Sequence, residues 1–345
     1  MNVQSPPEKL TARDFATDQE VRWCPGCGDY AILKGVQNTL AQLEADPKNT
    51  VFVSGIGCAA RFPYYMETYG FHTIHGRSPA VASGVKLANP ELDVWVVGGD
   101  GDMLSIGGNH TMHVIRRNVD LQILLFNNQI YGLTKGQASP TSREGTRSPS
   151  TPIGSFDHPA TPAAFALGSG ARFVARGFDV SKKLPEVLMA AHAHRGAAFI
   201  EIFQNCVVYN KDVFDDFAQP KGAEDRQLWL ENGAPMLFAG GTRGIALDRE
   251  ALRLTVVDVA DGDWESAGVI VHDVTNRSIA HMLVEMPFGP FPMALGVLYD
   301  DPIPTFEEAV IAEREKASAG KEPNLAKLLG SGQTWTVDQS AGHPA

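Results

Sequence analysis

Val94-Trp95-Val96-Val97-Gly98-Gly99-Asp100-Gly101 is an apolar, β-branched run closed by glycines and a carboxylate, and Leu121-Gln122-Ile123-Leu124-Leu125-Phe126-Asn127-Asn128 repeats the form with an amide at its end. Continuous apolar runs of this length read as strands buried on both faces, and the helical pattern through Met112 to Arg116 lies between them. The unit is therefore strand, helix, parallel strand, and such a crossover brings both strand ends to one edge of the sheet. There Asp100 and Asn128 can converge on a single hard cation through a carboxylate and an amide oxygen. Magnesium suits this pair, because it keeps octahedral oxygen coordination and completes it with phosphates. Gly101 would let the backbone approach those phosphates. A Gly-Asp-Gly turn at an ordinary helix start would look the same when taken alone.

The alternation extends in both directions. A helix is expected from Ala31 to Leu43 with Asp29 as its N-cap, followed by a strand at Val51 to Ser54, a polar and aromatic stretch from Arg61 to Phe71 and a helix from Ala80 to Ala88. A helix at Leu184 to Ala193 and a strand at Ala198 to Phe203 close the series. The fold class is α/β: a parallel sheet covered by helices on both faces, whose ligands bind outside the carboxyl ends of the strands, with a small C-terminal extension. The expected organisation is an N-terminal arm (1–22), the α/β domain (23–220), a small β-containing region (221–301) and a Glu-, Lys- and Ala-rich tail (302–345). From Lys135 to Pro162, 17 of 28 residues are Ser, Thr, Pro or Gly, which marks either a ligand-covering loop or a plain surface loop.

Composition bounds the function classes. The 345 residues are 43% hydrophobic and 20% charged, which excludes disorder of the whole chain. A net charge of −11 makes nucleic acid and anionic lipid poor partners. No apolar run is long enough for a membrane span, and the first twenty residues lack the apolar core of a secretory signal, so a cytoplasmic location is expected.

Four cysteines remain: Cys24 and Cys27 in Cys-Pro-Gly-Cys, Cys58 closing Gly55-Ile56-Gly57-Cys58, and Cys206 after the last strand. One pair and two singles fit a 4Fe–4S cluster better than zinc, whose structural sites usually comprise two close pairs; inert core thiols are the third reading. Two competing signals are weaker. Gly55-Ile56-Gly57-Cys58-Ala59-Ala60 matches a dinucleotide fingerprint but has no acidic residue at the required distance, and His72 with His75 or His110 with His113 could suggest zinc.

Asp100 and Asn128 resemble the magnesium-binding pair of thiamine diphosphate enzymes, and that resemblance implies the backbone carbonyl of Ile130 as a third ligand, with Gly132 and Leu133 beside the cofactor. Trp23-Cys24-Pro25-Gly26-Cys27-Gly28-Asp29, Gly55-Ile56-Gly57-Cys58, His75-Gly76-Arg77 and Asn127-Asn128-Gln129-Ile130-Tyr131-Gly132-Leu133-Thr134 resemble more narrowly the β subunits of 2-oxoacid:ferredoxin oxidoreductases, especially the 2-oxoglutarate type. The resemblance is specific from Trp23 to Cys206. It implies one 4Fe–4S cluster on Cys24, Cys27, Cys58 and Cys206, and a cofactor region lined by Ile56, Gly57, Cys58, His75, Gly76, Gly101 and Asp102, with His75 catalytic. It also implies thiamine diphosphate and Mg²⁺ as cofactors, a 2-oxoacid and coenzyme A as substrates, ferredoxin as acceptor, and an α subunit that supplies the pyrimidine-binding and coenzyme A functions. Lys135, Arg143 and Arg147 could meet the distal carboxylate of 2-oxoglutarate or remain solvated. Pyruvate or another 2-oxoacid as substrate, a non-oxidative decarboxylase, and a non-enzymatic zinc protein or scaffold are the other readings.

Overall fold

A computed structural model describes residues 9–219 and 222–337. The first eight residues of the expected arm and the last eight of the tail therefore lie outside the described residues.

The apolar runs form the strands. β1 (Thr50–Ser54), β2 (Tyr69–His72), β3 (Asp93–Gly99), β4 (Leu121–Asn127), β5 (Phe173–Phe178) and β6 (Ala197–Phe203) pair in the order β2-β1-β3-β4-β6-β5, all parallel. Period-two alternation sends Trp95, Val97, Leu124 and Phe126 into one core and Val94, Val96, Ile123 and Leu125 into the other. α1 (Asp29–Gln42) and α6 (Leu184–Ala193) cover the first face; α2 (Ser78–Ala88), α4 (Gly108–Arg117) and α5 (Pro162–Gly168) cover the second. A short helix, α3 (Asp100–Leu104), starts directly on the end of β3.

Sequence pattern and structure part company at a few places. Asp29 is not the N-cap of α1: Gly28 takes that position, and Asp29 sits in the first turn, buried. β5 has no counterpart in the sequence reading because Arg176 and Gly177 interrupt its apolar run. Arg176 nevertheless stays buried, its Nε 2.8 Å from Glu201 Oε2 on the adjacent strand. β2 is an exposed edge strand within the stretch read as polar and aromatic, preceded by a 3₁₀ helix, Ala59–Tyr65. The arm packs onto the domain, since Phe15 is fully buried beside Trp23 and Tyr65.

The 221–301 stretch contributes β7 (Gln227–Leu230) to the main sheet and an antiparallel sheet of β8 (Leu237–Phe238), β9 (Arg243–Asp248) and β10 (Arg253–Asp258). α7 (Arg277–Val284) then leads to β11 (Met293–Asp300), which is antiparallel to β5 and parallel to β7. The region is thus continuous with the core of the α/β sheet. Among the described residues the chain forms one compact unit up to Glu307 and a second from Glu308 on, which contains α8 (Leu325–Leu329). Among the described residues no helix is long and apolar enough to cross a membrane.

Candidate cofactor site

Because β1, β3, β4 and β6 are parallel neighbours, the segments that follow them share one edge of the sheet. Ser54 is level with Val97, Gly99 with Phe126, and Asn127 with Phe203. Residues 55–58, 100–102, 128–133 and 204–206 accordingly meet there, as the spacing of Asp100 and Asn128 requires.

Two adjoining cavities occupy this edge. The smaller, 70 Å³, is lined by Ile56, Gly57, Cys58, His75, Asp100, Gly101, Asp102, Asn128, Ile130, Gly132 and Leu133, which brings together nearly every expected thiamine-site residue. Gly76 is the exception. Its φ is +70° and a Cβ there would fall 2.5 Å from Gly107 N, so it is needed for a tight loop contact. The second cavity, 270 Å³, is lined by all four cysteines with Trp23, Arg22, Arg61, Lys135 and Gln204. Cys58, Asn128, Gly132 and Leu133 line both. A larger cavity of 650 Å³ touches Cys27 from another side but includes neither Asp100 nor Asn128.

Asp100 is buried, and burial pushes its carboxyl up to about 6 against the hydrogen bonds that favour the anion. Those bonds come from Ser139 Oγ and Thr141 Oγ1, each 2.5 Å from Oδ2. Thr141 Oγ1 also lies 3.0 Å from Asn127 Oδ1, and Ser142 Oγ donates to Gln129 O at 2.6 Å. The Ser- and Thr-rich loop is thus fastened to the candidate metal carboxylate. Its sequence marked an unusual loop but not these contacts, which span about forty positions. At Gly101 a Cβ would lie 2.1 Å from the Tyr131 ring, whose hydroxyl donates to Gly101 O at 3.1 Å.

Asp102, in α3, holds two loops together. Its Oδ1 accepts from Ile56 N (3.1 Å) and Gly76 N (2.7 Å) and lies 3.0 Å from His75 Nδ1. A Cβ on Gly55 would strike Asp102 Oδ2, so this glycine serves the carboxylate. The turn is followed by a 3₁₀ helix, without the α-helix on which a dinucleotide pyrophosphate would rest.

The oxygen donors fit magnesium and a diphosphate: a buried carboxylate, an amide held at a strand end, and the Ile130 carbonyl two residues later. The four thiols line one 270 Å³ cavity together, a donor set that suits a 4Fe–4S cluster. Burial pushes the Cys58 thiol up to about 12, and the Cys27 thiol is raised further by burial and by nearby Asp29, itself pushed up to about 7 by burial. Binding a cluster must therefore displace protons from these thiols. Trp23 Nε1 donates to Cys58 O at 2.8 Å, tying the first cysteine segment to the second. Lys135 lines the cysteine cavity, whereas Arg143 and Arg147 are exposed, Arg143 donating to Val213 O.

Comparison with known proteins identifies the family. Residues 55–202 match the thiamine pyrophosphate enzyme, C-terminal TPP binding domain. The chain is 48% identical over 340 residues to 2-oxoglutarate oxidoreductase subunit KorB of Mycobacterium tuberculosis, covering 96% of this chain and 89% of that one. It is 50% identical over 218 residues to 2-oxoacid:ferredoxin oxidoreductase 1, subunit beta, of Aeropyrum pernix, covering 62% of this chain and 69% of the relative. Its fold matches 2-oxoglutarate:ferredoxin oxidoreductase from Magnetococcus marinus, solved with 2-oxoglutarate, coenzyme A and succinyl-CoA bound, at a TM-score of 0.75 and 33% identity over 93% of this chain and 95% of that one. With a thiamine pyrophosphate-binding domain at its centre and this likeness along nearly its whole length, the chain belongs to the β subunits of the 2-oxoacid:ferredoxin oxidoreductases.

Proposed function

We propose that this chain is the cofactor-bearing β subunit of an enzyme that oxidatively decarboxylates 2-oxoglutarate with coenzyme A, giving succinyl-CoA and CO₂ and passing electrons to ferredoxin. The observation that carries the reading is the common wall of the two cavities, where Cys58, Asn128, Gly132 and Leu133 face both. Thiamine diphosphate, when bound, supplies the electron sink for decarboxylation, and a 4Fe–4S cluster accepts electrons one at a time. Asp100, Asn128 and the Ile130 carbonyl hold Mg²⁺; Gly132 and Leu133 flank the cofactor; Cys24, Cys27, Cys58 and Cys206 hold the cluster. His75, whose Nδ1 lies 3.0 Å from Asp102 Oδ1, lines the thiamine cavity as the group that would hold or move a proton. Succinyl-CoA as product agrees with the ligands named for the Magnetococcus marinus enzyme. The cytoplasm, where thiols stay reduced, is the fitting compartment.

The thiamine cavity in this chain, at 70 Å³, is far below the roughly 300 Å³ and more of sites that enclose a whole small molecule. An α subunit therefore supplies the rest of the enclosure, including the carboxylate that raises the basicity of the aminopyrimidine ring. The isolated chain, purified anaerobically and given Mg²⁺ and thiamine diphosphate, is expected to show no 2-oxoglutarate-dependent reduction of a viologen dye, and co-expression with the α subunit to restore it. Sustained turnover by the chain alone, at the rate of the complex, would contradict the assignment.

A further inference from the structure

Gln204 follows directly on β6, and its side chain is 1% exposed. Its Nε2 lies 3.1 Å from Cys27 Sγ and 2.8 Å from Asn205 O, while its Oε1 accepts from Asn128 Nδ2 at 2.8 Å. The amide can face only one way. Asn205 O is solely an acceptor, so the nitrogen must point to it and to the sulfur, leaving the oxygen for Asn128. That bond in turn fixes the Asn128 amide, because with Nδ2 committed to Gln204 its Oδ1 is turned toward Ile130, whose N–H lies 3.2 Å away. A single buried side chain thus touches one candidate magnesium ligand and one candidate cluster ligand.

We propose that Gln204 is a positioning residue that couples the two cofactor sites: its N–H sets the reduction potential of the cluster through Cys27, and its carbonyl oxygen orients Asn128 toward the metal. The inference rests on the cofactor assignment above and deepens it. A hydrogen bond to a cluster sulfur stabilises the reduced, more negative state and so raises the potential. Partners that orient a metal ligand cost about 10–100-fold in metal affinity when removed.

Two substitutions separate the two effects. Gln204→Leu removes both bonds, whereas Gln204→Glu keeps an acceptor for Asn128 but sets a carboxylate against Cys27 in place of an N–H. The readouts are an EPR-monitored redox titration of the anaerobically purified protein and calorimetric binding of thiamine diphosphate in Mg²⁺. In both variants the equilibrium constant for cluster reduction is expected to fall at least tenfold, which is 59 mV for a one-electron couple. Thiamine diphosphate affinity should fall at least tenfold in Gln204→Leu and stay within threefold of the parent in Gln204→Glu. If Gln204→Leu fails to fold, Gln204→Glu alone carries the test. Cluster potentials unchanged from the parent would overturn the coupling while leaving the cofactor assignment intact. A parent protein that carries no cluster would overturn both.

Discussion

Asp100→Ala is expected to abolish Mg²⁺-dependent retention of thiamine diphosphate. The carboxylate is the only charged oxygen donor in the proposed metal set, and without the cation the diphosphate meets a chain whose net charge is −11. Loss of affinity should exceed the roughly 10–100-fold that removing an outer partner of a metal ligand costs. The same substitution frees Ser139 and Thr141 from their shared acceptor, so part of the effect could come from the loop. Asp100→Asn separates the two, since it keeps an oxygen for the hydroxyls and loses only the charge. Thiamine content after desalting, with and without Mg²⁺, reads the outcome; full retention in both variants would remove Asp100 from the metal site.

Cys206→Ser and Cys58→Ser should each bleach the broad visible absorption of the cluster and strip nearly all iron, because each removes one thiolate of four. They should differ at the neighbouring site. Cys206 lines only the cysteine cavity, so Cys206→Ser is expected to retain thiamine diphosphate, whereas Cys58 lines both cavities and its replacement should disturb both. Iron and ferredoxin reduction surviving in both variants would make these thiols ordinary core residues and favour a non-oxidative decarboxylase.

The part of this architecture legible in the sequence is the part where apolar patterning and chemistry coincide. β3 and β4 are unbroken apolar runs, and each ends on the residue that matters, Asp100 or Asn128, so period and spacing suffice to place both on one edge. β5 escapes because Arg176 breaks its run, and only Glu201 on a neighbouring strand explains a buried arginine there. β2 escapes because its residues are exposed. Asp29 has the composition of an N-cap, yet the preceding glycine takes that position and the carboxylate turns inward beside Cys27. Within the site, local words mark the ligands but not what holds them. Ser139 and Thr141 reach Asp100 from a loop whose composition suggests only irregularity, and Gln204 is one polar residue after a strand until the fold sets it between Asn128 and Cys27.

The central claim is that one chain holds thiamine diphosphate and a cluster side by side, so that electrons released from a 2-oxoacid enter the cluster directly. The most direct measurement is EPR of the anaerobic complex with its α subunit, loaded with Mg²⁺ and thiamine diphosphate and mixed with 2-oxoglutarate and coenzyme A in the absence of ferredoxin. The account predicts the signal of a reduced 4Fe–4S cluster, one electron per site, appearing together with CO₂; succinyl-CoA then forms, and the signal disappears, when excess oxidised ferredoxin is added to take both electrons. Release of CO₂ while the cluster remains oxidised would contradict it.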